Sequence, residues 1–226
     1  MTRVKICGLM TEEDIHVCVG AGADALGFVT EYPIPVPWNI TREKARDLVA
    51  AAPPFVSTTS VVGGPAAAVL EIAELVRPHF LQLHGDESLE EIRNICSSLH
   101  GTGIKVLKAL RIDVHSGKAL FSVSDPLKAS AILAGSGISA LVLDSKTASR
   151  PAGTGVSLDW SIVRKISATI RIPLILAGGL TVHNVARAVA QVRPYGVDVI
   201  SGVEKHAGVK DEKLVKAFIR AAKDAL

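Results

Sequence analysis

A thiol and a carboxyl group each stand where an apolar run gives way to polar residues or glycine: Cys7 closes Arg3-Val4-Lys5-Ile6-Cys7-Gly8, and Asp144 closes Ala140-Leu141-Val142-Leu143-Asp144. A thiolate can act as base or nucleophile; free cysteine titrates near ~8.5, and nearby positive charge or a helix dipole lowers that toward neutrality. A carboxyl group with apolar residues behind it is partly desolvated, a setting that favours the protonated, proton-donating form. One group protonating an oxygen while the other takes a proton from carbon amounts to an acid/base isomerisation that needs no cofactor. The plainer readings stand beside these. An isolated cysteine is commonly an inert apolar side chain, which suits Cys18 and Cys96 inside helical stretches, and Asp144 could pair with Lys146 or Arg150 or cap its own loop.

Glycines supply a second chemistry. Gly178-Gly179 follows one apolar run and Ser201-Gly202 the next, and backbone N–H groups without a neighbouring Cβ approach an anion closely. Paired at two consecutive turns, they point to a phosphate cradle over glycines that merely permit tight turns. Gly153-Thr154-Gly155 could close over the same ligand. His84, in Leu81-Gln82-Leu83-His84-Gly85, either lines the same place or caps the helix that follows. The seven histidines are dispersed and no H-E-x-x-H occurs, so no metal is expected.

These groups need elements to hold them. Short Val/Ile/Leu-rich runs recur at Arg3 to Cys7, Asp24 to Val29, Phe55 to Val61, Phe80 to Leu83, Ile104 to Ala109, Ala140 to Asp144, Leu174 to Ala177 and Val197 to Ser201, and each precedes a stretch with helical spacing. Helices are predicted to open near Thr11, Thr41, Gly64, Ser88, Asp125, Ser157, Thr181 and Lys210, with hydroxyl caps and early carboxylates clearest at Thr11 and Thr41. Eight strand–helix units of about 28 residues predict one α/β domain over residues 1–226: a (β/α)8 barrel, with a closed parallel eight-stranded sheet inside a ring of helices. A dinucleotide-binding open sheet would show G-x-G-x-x-G after its first strand, where this chain has Cys7-Gly8-Leu9-Met10-Thr11. In a barrel the reactive side chains sit at the carboxyl ends of strands, and phosphate sites often follow the seventh and eighth. That rule gathers Cys7, His84, Asp144 and the glycine turns, and lets Cys7 and Asp144 face each other across the mouth. Tyr32-Pro33-Ile34-Pro35-Val36-Pro37-Trp38 reads as a stiff loop after the second strand.

Composition removes other classes. Hydrophobic residues make up 48% of the chain and charged ones 21%, which excludes disorder, and the net charge of +3 suggests neither a nucleic-acid nor a membrane partner. No apolar stretch approaches the ~20 residues of a membrane span. Three cysteines without a C-x-x-C pair and an amino terminus unlike a signal peptide fit a reducing cytoplasm.

The ordered series Val4-Lys5-Ile6-Cys7-Gly8-Leu9, Gly22 to Phe28, Leu81 to Gly85, Leu143-Asp144-Ser145-Lys146, Gly153-Thr154-Gly155 with Asp159-Trp160, Leu176 to Leu180 with Asn184-Val185, and Asp198 to Glu204 resembles the phosphoribosylanthranilate isomerases of tryptophan biosynthesis over nearly the whole chain. The resemblance implies an Amadori rearrangement of N-(5-phosphoribosyl)anthranilate to 1-(2-carboxyphenylamino)-1-deoxyribulose 5-phosphate, with Asp144 as general acid, Cys7 as general base and the glycine loops on the phosphate. It implies a phosphosugar as small-molecule partner, and leaves a homodimer or association with another tryptophan-pathway enzyme as the protein partner. One position departs: the family's arginine after the second strand, which pairs with the anthranilate carboxylate, is absent from Pro35-Val36-Pro37-Trp38. Arg42, or Arg150, would have to make that contact and Trp38 would stack on the ring, unless Arg42 is simply a solvated first-turn side chain. Two rivals follow from the same barrel: a Schiff-base aldolase using Lys5, Lys105 or Lys108, and a non-catalytic phosphosugar-binding protein.

Overall fold

The computed structural model describes residues 1–146 and 157–225. Strands and helices alternate: β1 (Arg3–Cys7), α1 (Glu12–Gly20), β2 (Ala25–Thr30), the short β3 (Asn39–Ile40), α2 (Arg42–Ala51), β4 (Ser57–Val62), α3 (Ala66–Val76), β5 (Phe80–Leu83) and α4 (Leu89–Ser98). The second half continues with β6 (Lys105–Asp113), α5 (Pro126–Ala134), β7 (Ala140–Lys146), α6 (Trp160–Thr169), β8 (Leu174–Leu176), α7 (Val185–Val192) and β9 (Gly196–Val199). A hairpin of β10 (Glu204–His206) and β11 (Val209–Lys210) then leads into α8 (Glu212–Lys223). Parallel pairing runs from β1 through β2, β4, β5, β6, β7 and β8 to β9, which returns to β1, so eight strands form a closed barrel with the helices outside; β3 hangs on β2.

Strand alternation sorts the core into two layers. On β6, Leu107 and Ala109 turn inward to meet Ala140, Val142 and Ala177, while Val106 and Leu110 turn outward among Leu83, Leu141 and Ile92 under the helices. Burying one such Leu or Ile stabilises the fold by about 1.5–3 kcal/mol. Helix starts follow local chemistry. Thr11 with Asp14 and Ser88 with Glu91 form reciprocal capping boxes, and Asp125 caps α5 with Pro126 in its first turn.

Two expected helix starts move, for one reason. α6 is capped by Asp159 rather than Ser157, and α7 begins after Asn184 rather than Thr181. Ser157 Oγ instead donates to the Gly179 carbonyl at 3.3 Å, and Asn184 Nδ2 donates to the same oxygen at 2.9 Å. The fifth predicted strand is also longer, because its alternation persists through Leu110 and Ile112.

Candidate active site

At the carboxyl end of the barrel a cleft is lined by Cys7, Trp38, His84, Asp144, Gly178, Gly179, Ser201 and Gly202, together with Tyr32, Gln82, Leu180 and Asp198. Eight residues expected from the sequence thus meet in one place. Gly153 and Gly155, with Arg150, lie outside the described residues. A wider hollow at the other end of the barrel, lined by Arg3, Phe55, Lys105 and Tyr195 among others, contains no comparable set of groups.

Cys7 ends β1 paired in register with Gly27 of β2. A Cβ on Gly27 would come within 2.5 Å of Cys7 Sγ and 2.9 Å of Lys5 Cε, so the bare backbone there makes the room the thiol occupies. Two residues back on the same face, Lys5 Nζ donates to Asp198 Oδ2 at 2.6 Å and to Gln82 Oε1 at 2.9 Å. Burial alone would depress the Lys5 ammonium, but Asp198 and Cys7 outweigh it and hold its pKa above the ordinary value. An ammonium so held is a poor amine nucleophile. Lys108, another of the three aldolase candidates, has its Nζ on Glu87 Oε2 at 2.5 Å and on the Gly85 carbonyl at 2.8 Å.

Burial pushes the Cys7 thiol up to about 11; Lys5 pulls against this, Asp198 adds to it and Lys210 opposes it. The expectation that neighbouring positive charge brings this thiol toward neutrality is therefore corrected: full desolvation outweighs one lysine whose charge Asp198 already shares.

Asp144 is 7% exposed, and its Oδ1 accepts from the Ser145 N–H at 2.8 Å. Its Oδ2 stands 3.3 Å from His84 Nε2, a contact without the alignment of a hydrogen bond. Across the same rim, the Tyr32 hydroxyl donates to the His84 carbonyl at 3.1 Å. Tyr32 is set by Asn39, which accepts from its N–H at 2.8 Å and donates to its carbonyl at 2.9 Å. The proline-containing stretch is thus a clamped loop.

Gly178 and Gly179 follow β8 with φ of +81° and +62°, values that favour glycine. The Gly179 carbonyl is drawn away by Ser157 and Asn184, and neither glycine N–H has an acceptor among the described residues. The next turn, Ser201 and Gly202, is pressed against the first: a Cβ on Gly202 would lie 2.0 Å from the Leu180 carbonyl oxygen. Two adjacent turns with free N–H groups suit an anion.

Trp38 lines the cleft within a small apolar cluster that includes Cys7, Val29, Tyr32 and Val61. Its Nε1 donates to Glu204 Oε1 at 2.7 Å, which presents the ring and not a hydrogen-bonding edge. Arg42 is corrected: it does not line the cleft, and its guanidinium is spent on Glu31 at 2.7 Å and Glu71 at 3.2 Å. The strand-end rule spans Tyr32 and Leu180 without giving them a role, Asp198 is read from the sequence as a carboxylate neutralising a barrel lysine, and Gln82 is missed. The period-two alternation Lys5/Cys7, Gln82/His84 and Val142/Asp144 carried the signal for Gln82.

Among the described residues no group of three or more His, Cys, Asp or Glu side chains could hold a metal, and no helix is long and apolar enough to cross a membrane.

The family model for N-(5'-phosphoribosyl)anthranilate isomerase matches residues 4–221. The chain is 41% identical to the N-(5'-phosphoribosyl)anthranilate isomerase of Haloferax volcanii, with 100% of this chain and 95% of that one covered. Against the Methanocella arvoryzae protein of the same name the identity is 36%, with 97% of each covered. Among solved structures, the phosphoribosyl anthranilate isomerase of Thermotoga maritima superposes with a TM-score of 0.83 at 34% identity, covering 99% of this chain and 100% of that one. A complex of such an isomerase with reduced 1-(o-carboxyphenylamino)-1-deoxyribulose 5-phosphate gives a TM-score of 0.79 at 32% identity over 99% and 100% of the two chains. With a matching family model over nearly its full length and a barrel mouth that brings together the thiol, the carboxyl group and the glycine turns, the chain belongs to the N-(5'-phosphoribosyl)anthranilate isomerase family.

Proposed function

We propose that the chain catalyses its family's isomerisation as a single domain, residues 1–226, rearranging N-(5-phosphoribosyl)anthranilate to 1-(2-carboxyphenylamino)-1-deoxyribulose 5-phosphate. This is an aldose-to-ketose change within one molecule. The observation that carries the reading is that Cys7 from β1 and Asp144 from β7 line one cleft with the glycine turns after β8 and β9. Support for the ligand comes from the similar isomerase structure that holds a reduced form of the same ribulose phosphate.

In this mechanism the phosphate sits on the N–H groups of Gly178, Gly179 and the Ser201–Gly202 turn, which fixes the sugar between acid and base. Asp144 delivers its proton to the furanose ring oxygen as the C1′–O bond breaks, and the nitrogen lone pair forms the C1′=N bond. The resulting iminium is positive and lies beside the thiol, so it favours the thiolate that burial disfavours. Cys7 then takes the C2′ proton, the electron pair closes a C1′=C2′ bond, and the enolamine tautomerises to the ketone with a proton on C1′. The Ser145 N–H, 2.8 Å from Asp144 Oδ1, orients the carboxyl group, and His84 stands beside it.

The test generates phosphoribosylanthranilate in situ and follows the loss of its fluorescence. Cys7→Ser and Asp144→Asn are each expected to lose ~10²–10⁴-fold in kcat, the range for removing one acid or base, with binding of the reduced product analogue kept. Full activity in either variant removes that residue from the mechanism, and an inert wild type favours a phosphosugar-binding barrel without turnover.

A second copy of the chain is the proposed protein partner. Phe55 is fully exposed at φ +69° beside the hollow at the amino-terminal end of the barrel, where Tyr195 is 57% exposed, and a related Thermotoga maritima isomerase is described as dimeric. Sedimentation is expected to show a dimer that Phe55→Asp dissociates; unchanged mass in the variant excludes this face. Cytoplasmic residence is proposed on the free state of Cys7, Cys18 and Cys96.

A further inference from the structure

Three buried lysines each have a buried carboxylate as partner. Lys5 meets Asp198 at 2.6 Å, Lys108 meets Glu87 at 2.5 Å and Lys210 meets Glu204 at 2.7 Å, and none of these six side chains is more than 6% exposed. Arg111 breaks the pattern. Its side chain is 3% exposed, but its partner Asp86 is 82% exposed. A carboxylate standing in water is solvated whether or not it keeps its partner, so Asp86 can leave at little cost, whereas the buried guanidinium needs an anion at all times.

Arg111 lies behind the residues that line the cleft, and its position on β6 tells where another anion would come from. It follows Leu107 and Ala109 at alternate places on β6, and both of those point into the barrel. It pairs in register with Asp144 on β7, so the two side chains leave the sheet on the same face about one strand spacing, ~4.8 Å, apart. Leu83 pairs with Lys108, which sets Arg111 two residues nearer the mouth than the level of His84. Tyr32, hydrogen-bonded to the His84 loop, lies in the field of Arg111, Asp86 and Asp144.

The ligand's orientation completes the argument. A phosphate held after β8 and β9 and a sugar beside Cys7 and Asp144 direct the remaining group toward the strands on the other side of the ring, β2 through β6. On the isomerase reading that group is an aryl ring bearing a carboxylate. The loop after β2 holds no arginine, and Arg42 is engaged with Glu31 and Glu71.

Resting on that reading, we propose that Arg111 is the carboxylate-binding residue of this chain: on substrate binding its guanidinium exchanges Asp86 for the aryl carboxylate, and the two residues together set selectivity for carboxylated aryl groups. The planar guanidinium matches a carboxylate in two parallel hydrogen bonds.

Two substrates test it, N-(5-phosphoribosyl)anthranilate and N-(5-phosphoribosyl)aniline, which lacks the carboxylate. Wild type is expected to prefer the first in kcat/KM by roughly 10–150-fold, the worth of hydrogen bonds to a charged group. In Arg111→Gln that preference collapses, through a raised KM for the anthranilate substrate alone, and Arg111→Lys restores part of it. In Asp86→Asn, a substitution at an exposed position, the KM for the anthranilate substrate falls while that for the aniline substrate stays in place. Equal losses on both substrates in Arg111→Gln, or a KM that rises for both in Asp86→Asn, assign the pair a structural role and overturn the proposal. If Arg111→Gln does not fold, the Asp86→Asn comparison decides alone. A wild type active on both without preference also overturns it, while a wild type inactive on both overturns the isomerase reading itself.

Discussion

Gly178→Ala places a methyl group where the structure leaves no space. The new Cβ would lie 2.4 Å from both the Ser145 nitrogen and its Oγ, and 2.8 Å from Asp144 Oδ1, against ordinary separations of ~3.5–4.0 Å. Something must retreat by about 1 Å. Because the β8 turn is tied by Ser157 and Asn184 and pressed on by Gly202, the element that yields is the end of β7 that carries Asp144. Alanine at φ +81° adds a backbone cost of ~1–2 kcal/mol, and overpacking adds ~1–3 kcal/mol. For a chain of this length, with ~2–4 °C lost per kcal/mol, the melting temperature is expected to fall by roughly 4–20 °C. A 1 Å displacement of an acid costs about 10²-fold in rate, so kcat is expected to fall by that order at a temperature where the variant is fully folded. Fluorescence turnover and thermal unfolding are measured on the same samples. Gly101→Ala is the control: it has the same kind of backbone, φ +82°, with nothing within 4 Å of its Cβ, and should lose stability through the backbone alone with unchanged kcat. A Gly178→Ala enzyme with wild-type kcat would refute the claim that this turn holds Asp144 in place.

Asp198→Asn leaves the buried Lys5 ammonium with neutral acceptors and no paired carboxylate; unfolding in urea should show a loss of about 3–5 kcal/mol, the cost of stranding one member of a buried pair. The same change removes a charge that pushes the Cys7 thiol up, so alkylation of Cys7 should report a value below the wild-type figure of about 11, and an unchanged profile would deny the coupling. Cys7 also makes stability depend on alkali. A thiol raised from 9.0 to about 11 favours the protonated form in the folded state, so its contribution is complete below pH 9 and disappears as the pH climbs through 11. Relative to Cys7→Ala, wild type should lose about 2–3 kcal/mol across that window; parallel curves for the two proteins would contradict the assignment.

The barrel was legible because each level of the sequence agreed with the next. Arg3–Cys7 and Phe80–Leu83 have the predicted bounds, and Thr11, Thr41, Ser88 and Asp125 cap their helices as expected. The starts that moved belong to the site. Ser157 and Asn184 are good capping residues by type, but their side chains hold the Gly179 carbonyl, a demand made by a turn distant in sequence. β3 and the β10–β11 hairpin are two or three residues per strand, too short to show a period. Cys7 and Asp144 were legible from where their apolar runs end, whereas the thiol's elevated pKa depends on packing among strands that no local pattern displays. Arg42 misled for a related reason: Glu31 lies 11 residues away and Glu71 lies 29, and only the folded chain sets both beside it.

Gly202 fits so tightly against Leu180 that the turns after β8 and β9 form one rigid body supplied by two separate parts of the chain. Swapping either turn for that of a distant barrel would import a mismatched half. A chimera that borrows this anion grip must therefore take residues from both segments at once, and natural divergence at one turn is constrained to wait for a compatible change at the other.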